Sequence, residues 1–151
     1  MATTKATRGA AFVAVALGLC VIVGCGEQSR GFDLPAMHPA QGSVTYRGQP
    51  ASGFRVTLHP LGDIGALKFA PSAITAADGS FRVRSYAPDD GAPAGEYAVT
   101  FEWPDHIIQP EDFDPVPEVD QLRGAYSNPQ TSPYKVTIRE GENTLPLFEL
   151  R

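Results

Sequence analysis

The sequence predicts an all-β domain, a sandwich of two antiparallel sheets. Apolar and polar residues alternate with a period of two in several short runs after residue 40. No run long enough for a helix shows a period of about 3.6 residues, and Gly/Pro-rich turns separate the runs. A chain of 151 residues is long enough to bury one such core. We therefore expect the folded domain over residues 40–151.

The first two predicted strands are short and close together. Residues 43–46 place Val44 and Tyr46 on one face, and a turn follows at 48–50. In residues 54–59, apolar side chains alternate with an arginine, a threonine and a histidine. One face of this strand is expected in the core and the other in water.

The next elements are a hairpin and a central strand. The dipeptide Asp-Gly at 78–79 tolerates positive φ and predicts a tight turn between residues 74–76 and 81–85, with Phe81 and Val83 inward. Residues 97–103 form the longest apolar run, which predicts the centre of a sheet. Two further runs, at 134–138 and 144–150, flank a turn and form the last strands.

Residues 105–133 do not fit this strand pattern. They hold five prolines and six acidic residues against one basic residue, Arg123. Long excursions of this kind are functional, packed on the domain or mobile. A short helical turn around 119–123 is one possibility. Its candidate anchors on the sandwich are the apolar residues Val116, Val119, Leu122 and Tyr126.

The N-terminal residues resemble a bacterial lipoprotein signal peptide. Basic residues precede an apolar run from Ala10 to Val23, and Ile22-Val23-Gly24-Cys25 resembles the lipobox. The alternatives are ordinary secretion and a membrane span, for which about twenty apolar residues would be needed. The resemblance implies a signal peptide at 1–24, acyl chains such as palmitate on Cys25, and a flexible tether at 25–39.

The expected mature chain is acidic and lacks thiols. Removal of residues 1–24 leaves ten basic and seventeen acidic residues, a net charge of −7, and takes Cys20 away while lipid occupies Cys25. This charge argues against a nucleic-acid partner and against electrostatic binding to anionic lipid. Membrane attachment is expected through the lipid alone. By resemblance to the sorting rule of enteric bacteria, Gly26 after the cysteine implies the outer membrane over the inner one.

Several motifs resemble the carboxypeptidase regulatory-like domain, a seven-stranded transthyretin-like (prealbumin-like) sandwich. They are Gly42-Ser43-Val44-Thr45-Tyr46-Arg47-Gly48-Gln49-Pro50, Val56-Thr57-Leu58, Thr75 with Asp78-Gly79-Ser80-Phe81, and Gly95-Glu96-Tyr97-Ala98-Val99. Within that family, Asp90-Gly91-Ala92-Pro93 and Tyr126-Ser127-Asn128-Pro129 resemble small stand-alone lipoproteins. Ala76 departs from the pattern, which often has a polar residue there. The resemblance implies a fold and no activity.

Catalytic and metal-binding patterns are weak in this sequence. His38, His59 and His106 lack metal-ligand spacing, although Asp105 or Glu111 could assist them. The acidic stretch at 111–115 lacks the spaced ligands and turn glycine of a calcium loop, so we expect a solvated loop, with weak calcium binding as the alternative. No nucleophile elbow or phosphate loop is present. We expect no enzyme activity, no cofactor and no metal.

Aromatic side chains offer a candidate ligand surface. Phe54, Phe81, Tyr97, Phe101 and Trp103 are expected in the core. The aromatic residues Tyr86, Phe113, Tyr126 and Tyr134 remain, and the first three form the candidate binding patch. The sequence therefore predicts a lipid-anchored module of the bacterial cell envelope, facing the periplasm or the exterior, with a structural or protein-interaction role. The alternative is a module that binds envelope carbohydrate through exposed aromatic residues.

Overall fold

The computed structural model describes residues 34–65, 67, 69–108 and 116–151. Within these ranges the chain forms strands and turns and no helix, which confirms the all-β prediction. The strands are β1 (Met37–His38), β2 (Ala40–Tyr46), β3 (Gln49–Pro50), β4 (Arg55–Pro60), β5 (Ser72–Ile74), β6 (Ser80–Arg82), β7 (Ala92–Pro93), β8 (Gly95–Glu102), β9 (Lys135–Ile138) and β10 (Asn143–Leu150). Ten strands in the described residues, several of only two residues, do not confirm the expected count of seven.

Two four-stranded sheets make up most of the domain. One has the order β10-β2-β3, with β6 also paired to β2, and the other has the order β5-β4-β8-β9. A third, two-stranded sheet joins β1 to β7, so Met37 and His38, which lie within the predicted tether, pair with Pro93 and Ala92. A two-residue strand carries too little alternation to be recognised from sequence.

The pairing of the first and last long strands corrects the all-antiparallel prediction. β10 pairs β2 in parallel, with Phe148 opposite Val44 and Leu150 opposite Tyr46. Alternation identifies a strand and its buried face but carries no information on direction. Hairpins impose antiparallel pairing on neighbours in sequence, and these two strands are separated by the rest of the domain.

The Asp-Gly turn at 78–79 forms as predicted. Gly79 has φ 78°, and the Asp78 carboxylate accepts hydrogen bonds from the backbone N–H and the hydroxyl of Ser80, at 2.9 and 2.6 Å. The strands on either side belong to different sheets: β5 pairs β4 and β6 pairs β2. The reciprocal bonds between Ser72 and Arg84 are a point where the two sheets meet.

One hydrophobic cluster lies between the two large sheets. Phe101 of β8 contacts Phe148 of β10, with ring centroids 5.2 Å apart, and Tyr134 packs edge-on against both rings. Buried residues of both sheets belong to this cluster, the arrangement expected of a β-sandwich. The inward positions predicted from the sequence are confirmed: Phe54, Phe81, Val83, Tyr97 and Phe101 are buried, and Trp103 is half-buried against them.

Strand β8 is the centre of its sheet, as predicted, but both of its faces are covered. Ala98 and Thr100 are on the outward register, and both are buried. Tyr97 points inward and donates a hydrogen bond of 2.8 Å to the Pro93 carbonyl. Its burial raises the pKa of Tyr97 to about 12, so the hydroxyl remains a donor at every physiological pH.

The described parts of the long excursion are folded back onto the sheet. Pro104 and Asp120 form an isolated antiparallel bridge, and residues 121–126 are turns, not a helix. Of the four predicted anchors, Leu122 is buried in the core cluster and Tyr126 packs against it. The prediction is wrong for Val116 and Val119, which are exposed. In the described part of the chain, no helix is long or apolar enough to cross a membrane.

Candidate functional site

The proposed aromatic patch is divided in the structure. Tyr86 is 41% exposed in the loop after β6, whereas Tyr126 is half-buried. The Tyr126 hydroxyl donates to the Arg151 carbonyl at 2.6 Å and accepts from the Arg151 N–H at 3.0 Å, so it fastens the end of β10 to the excursion. Phe113 and Cys25 lie outside the described residues.

The register places the two described tyrosines at opposite ends of β2. Arg82, four residues before Tyr86, pairs with Gln41 near the start of β2. Tyr126 bonds Arg151, which follows the residue of β10 that pairs with the end of β2. A single ligand surface does not contain both tyrosines.

An aspartate organises the loop that carries Tyr86. The Asp90 carboxylate accepts backbone hydrogen bonds from Ser85, Tyr86 and Ala87, at 2.6, 2.9 and 2.9 Å. Burial opposes ionisation of Asp90, but these bonds outweigh it and lower the pKa of the carboxyl group. Gly91 follows with φ 87°, and a Cβ there would lie 1.8 Å from the His38 carbonyl oxygen. This stretch of the lipoprotein-like motif therefore has a structural role.

A second aspartate organises the excursion at the other end. The Asp120 carboxylate accepts backbone hydrogen bonds from Trp103 at 2.8 Å, Leu122 at 3.0 Å and Gly124 at 2.8 Å. The bond to Trp103 joins the excursion to the residue after β8. The sequence contains the turn signal Asp-x-x-x-Gly at 120–124, but this signal does not reveal that Asp120 also bonds the Trp103 N–H.

Ionisable side chains converge at one place on the outer face of the second sheet. Arg55 of β4 makes two hydrogen bonds to Glu118, at 2.6 and 2.7 Å, and its Nη1 lies 3.6 Å from a carboxylate oxygen of Glu102. They line a cleft of about 60 Å³ with Pro104 and Asp120. That volume is far below the roughly 300 Å³ of small-molecule sites.

The chemistry of this cluster is that of an ion pair. The hydrogen bonds from Arg55 lower the pKa of Glu118, so its carboxylate remains charged near neutral pH. A general acid needs a raised pKa, and a general base needs an oxygen free to approach substrate. Both Glu118 oxygens are bonded to Arg55, and one also accepts from the Ile108 N–H at 3.1 Å. The cluster therefore fastens the excursion to β4.

The three histidines are in separate environments. His38 accepts from the Gly141 N–H at 3.1 Å, and His59 lies 2.9 Å from the Thr100 hydroxyl. Partial burial lowers the pKa of His59, which favours the neutral ring. Over the described ranges, no three His, Cys, Asp or Glu side chains are placed to hold a metal ion.

His106 lies between two acceptors at the stem of the excursion. Its Nε2 is 2.9 Å from the Val116 carbonyl oxygen, and its Nδ1 is 2.8 Å from the Asp105 carboxylate. A neutral imidazole has one N–H and can donate to only one of them, whereas the imidazolium ion donates to both. The carbonyl and the carboxylate accordingly raise the pKa of His106.

Two further surface depressions lack aromatic platforms. A polar cleft of about 170 Å³ is lined by Arg82, Asp89 and Glu142 among others. A groove of about 420 Å³ between β5 and β6 has one aromatic lining residue, Phe81, which is 4% exposed. Sugar recognition by stacking needs an accessible ring face, and neither depression provides one.

Comparisons with known proteins do not identify a family for this chain. No family model matches the sequence, and no curated protein matches it significantly. Among solved structures, a DUF3823 family protein from Parabacteroides merdae superposes with a TM-score of 0.40 at 17% identity, over 76% of this chain and 46% of that one. A 9R-lipoxygenase from Cyanothece PCC8801 superposes with a TM-score of 0.40 at 13% identity, over 76% of this chain and 16% of that one.

The chain thus spans less than half the length of either solved structure. Likenesses at this level assign neither a family nor an activity.

Proposed function

We propose that this chain is a lipid-anchored, non-enzymatic module of a bacterial cell envelope, with a structural or protein-interaction role. In this proposal Cys25 carries the lipid, and the domain is a transthyretin-like sandwich of the carboxypeptidase regulatory-like kind. Outer-membrane attachment, facing the periplasm or the exterior, is the preferred location because Gly26 follows the cysteine.

The observation that carries the anchoring half is Ile22-Val23-Gly24-Cys25 at the end of an apolar run. The run of fourteen residues from Ala10 to Val23 is short of the roughly twenty residues of a membrane span. Several acyl chains on one cysteine would hold the protein on the bilayer almost permanently.

The non-enzymatic half is supported by how the ionisable groups are used. Arg55 and Glu118 neutralise each other, and the Asp90 and Asp120 carboxylates are bonded to backbone N–H groups. Each of these groups has a partner within the fold. A protein-interaction role is supported by the exposed apolar side chains of Val116 and Val119 on the excursion.

The anchoring test compares two cysteine variants. The protein would be expressed in a bacterial host fed an alkyne analogue of palmitate, and the label incorporated into the protein would be measured. We expect label in the wild type and in Cys20→Ser, since Cys20 leaves with the signal peptide, and none in Cys25→Ser. An unlabelled wild type, or label that persists in Cys25→Ser, would refute the anchoring proposal.

Glycan binding is the alternative function, supported by the 41% exposure of Tyr86. In the described residues Tyr126 does not join Tyr86, so the surface would depend on Tyr86 and its neighbours. An array of bacterial envelope glycans tests it. Binding lost in Tyr86→Ala but retained in Tyr126→Phe would support this alternative, and no binding by the wild type would remove it.

A further inference from the structure

The loop between β4 and β5 carries two exposed apolar side chains. Leu61 and Phe69 are 50% and 69% exposed, close to the two ends of this loop. The Leu58 N–H donates to the Pro71 carbonyl at 2.8 Å, which holds the two loop ends side by side. The Leu61 N–H donates to the Glu96 carbonyl, also at 2.8 Å, which fixes the first of these ends on β8.

The N-terminal part of the described chain runs against the same loop. A Cβ added at Gly65 would lie 3.5 Å from two atoms of the Pro35 ring, so Pro35 packs on the middle of the loop. Leu34, the residue before it, is 48% exposed. Leu34 therefore neighbours the loop that carries Leu61 and Phe69, and these three side chains together are called the apolar corner.

The length of the preceding chain limits how far this corner can be from the proposed lipid. Nine Cα–Cα steps separate Cys25 from Leu34. Even a fully extended chain spans no more than about 3.5 Å per residue, so Leu34 of the corner lies within about 32 Å of the acylated cysteine. This step rests on the lipid anchor of the proposed function.

Charge indicates which part of a bilayer the corner would contact. The loop at 61–70 contains one acidic residue, Asp63, and one basic residue, Lys68, so its net charge is zero. A neutral loop gains nothing from anionic headgroups, whereas leucine and phenylalanine side chains partition into the boundary between headgroups and acyl chains. Burial there removes apolar surface from water.

We propose that Leu34, Leu61 and Phe69 insert into the interfacial region of the bilayer that carries the lipid anchor, and so hold the domain against the membrane in one orientation. The contact is apolar and insensitive to salt. It leaves the excursion, at the opposite end of the sandwich, facing away from the lipid.

The test uses the absence of thiols in the mature chain, whose two precursor cysteines are removed or acylated. Phe69→Cys is labelled with an environment-sensitive fluorophore, and the lipidated protein is reconstituted into vesicles of phosphatidylethanolamine and phosphatidylglycerol that contain brominated acyl chains. Leu147→Cys is the matched control, since Leu147 is 52% exposed in the middle of β10. We expect quenching at position 69 to exceed that at 147 by about twofold or more, at low and high salt alike.

A second variant tests cooperation within the corner. In the fluorophore-labelled variant Leu34→Cys, the additional substitution Phe69→Asp is expected to reduce the quenching at position 34, while the protein still floats with the vesicles. Equal quenching at 69 and 147 in floating protein would overturn the insertion proposal alone. Wild-type protein that fails to float would overturn the anchor.

Discussion

At each end of the sandwich an aspartate carboxylate accepts hydrogen bonds from backbone N–H groups, but the positions of the donors differ. At the end where the chain enters, Asp90 binds backbone N–H groups that lie three to five residues away in its own loop. At the opposite end, Asp120 binds two local N–H groups and also that of Trp103, seventeen residues away. One loop is closed upon itself, whereas the other is fastened to the central strand.

This difference shows what each end can tolerate. The bonds of the Asp90 carboxylate hold only its own loop, whereas the Asp120 turn also supports Leu122 in the core and neighbours the Arg55–Glu118 ion pair. Loss of the Asp120 carboxylate is therefore expected to cost more stability than loss of the Asp90 carboxylate.

The largest expected effect is in the core that both ends share. Phe101→Ala removes a ring that packs on Phe148 and Tyr134, and we expect a loss of about 3–5 kcal/mol in the free energy of unfolding. Denaturant unfolding measures it, with Phe101→Leu as a milder control. A loss below that of either aspartate variant would mean that the ends, not the core, hold the sheets together.

The aspartates themselves give the next largest effect. Asp120→Ala is expected to cost about 2 kcal/mol and Asp90→Ala about 1 kcal/mol, because only the first leaves a long-range, part-buried backbone donor without its acceptor. Chemical denaturation of both variants, beside the matched asparagine variants, checks the order. Equal losses would contradict the distinction between a local and a long-range aspartate.

The ion pair at the Asp120 end should contribute less. In a double-mutant cycle of Arg55→Met and Glu118→Gln, we expect a coupling of about 1 kcal/mol, since Arg55 remains 30% exposed. Glu102→Gln is the control, because its oxygen lies 3.6 Å away instead of 2.6 Å. A larger coupling for Glu102 than for Glu118 would contradict the bidentate geometry.

The smallest effect concerns pH and the two histidines near opposite ends of the second sheet. The Val116 carbonyl and Asp105 raise the pKa of His106, so its contribution to stability is complete below about pH 6.5 and is lost as the pH rises through the folded-state pKa. Burial lowers the pKa of His59, so its contribution is present above about pH 6.5 and declines as the pH falls through the folded-state pKa.

NMR titration of the two imidazole Cε1–H signals measures both shifts, and His106→Gln and His59→Gln assign them. The expected result is a His106 pKa above that of His59. The reverse order would show that the Val116 carbonyl and Asp105 do not flank the His106 ring in solution.

The sequence was sufficient for the longer strands and their buried faces, because alternation reports directly which side chains share a face. Residues 97–103 follow this rule, and the turn at 78–79 was predicted from the tolerance of Asp-Gly for positive φ. Strand direction could not be predicted in this way, because β10 and β2 pair in parallel although nothing local in their sequences distinguishes them from an antiparallel pair. Burial of the outer face of β8 was not predicted either, since coverage by neighbouring segments leaves no mark on its own alternation.

The candidate site was harder to predict because its members are far apart in the sequence. Arg55 and Glu118 are 63 residues apart, and only the folded excursion brings them together. Tyr126 was predicted on a ligand surface, but its hydroxyl bonds the backbone of Arg151. A pattern of side chains in the sequence does not reveal a backbone partner of this kind. Backbone partners in distant segments require the fold.

The most direct test of the proposed anchor is mass spectrometry of the N-terminal peptide from protein isolated from membranes of a bacterial host. The account predicts a peptide that begins at Cys25 and carries the added mass of acyl chains. A mature pool that retains an unmodified Met1, or that begins at another residue without lipid, would contradict it.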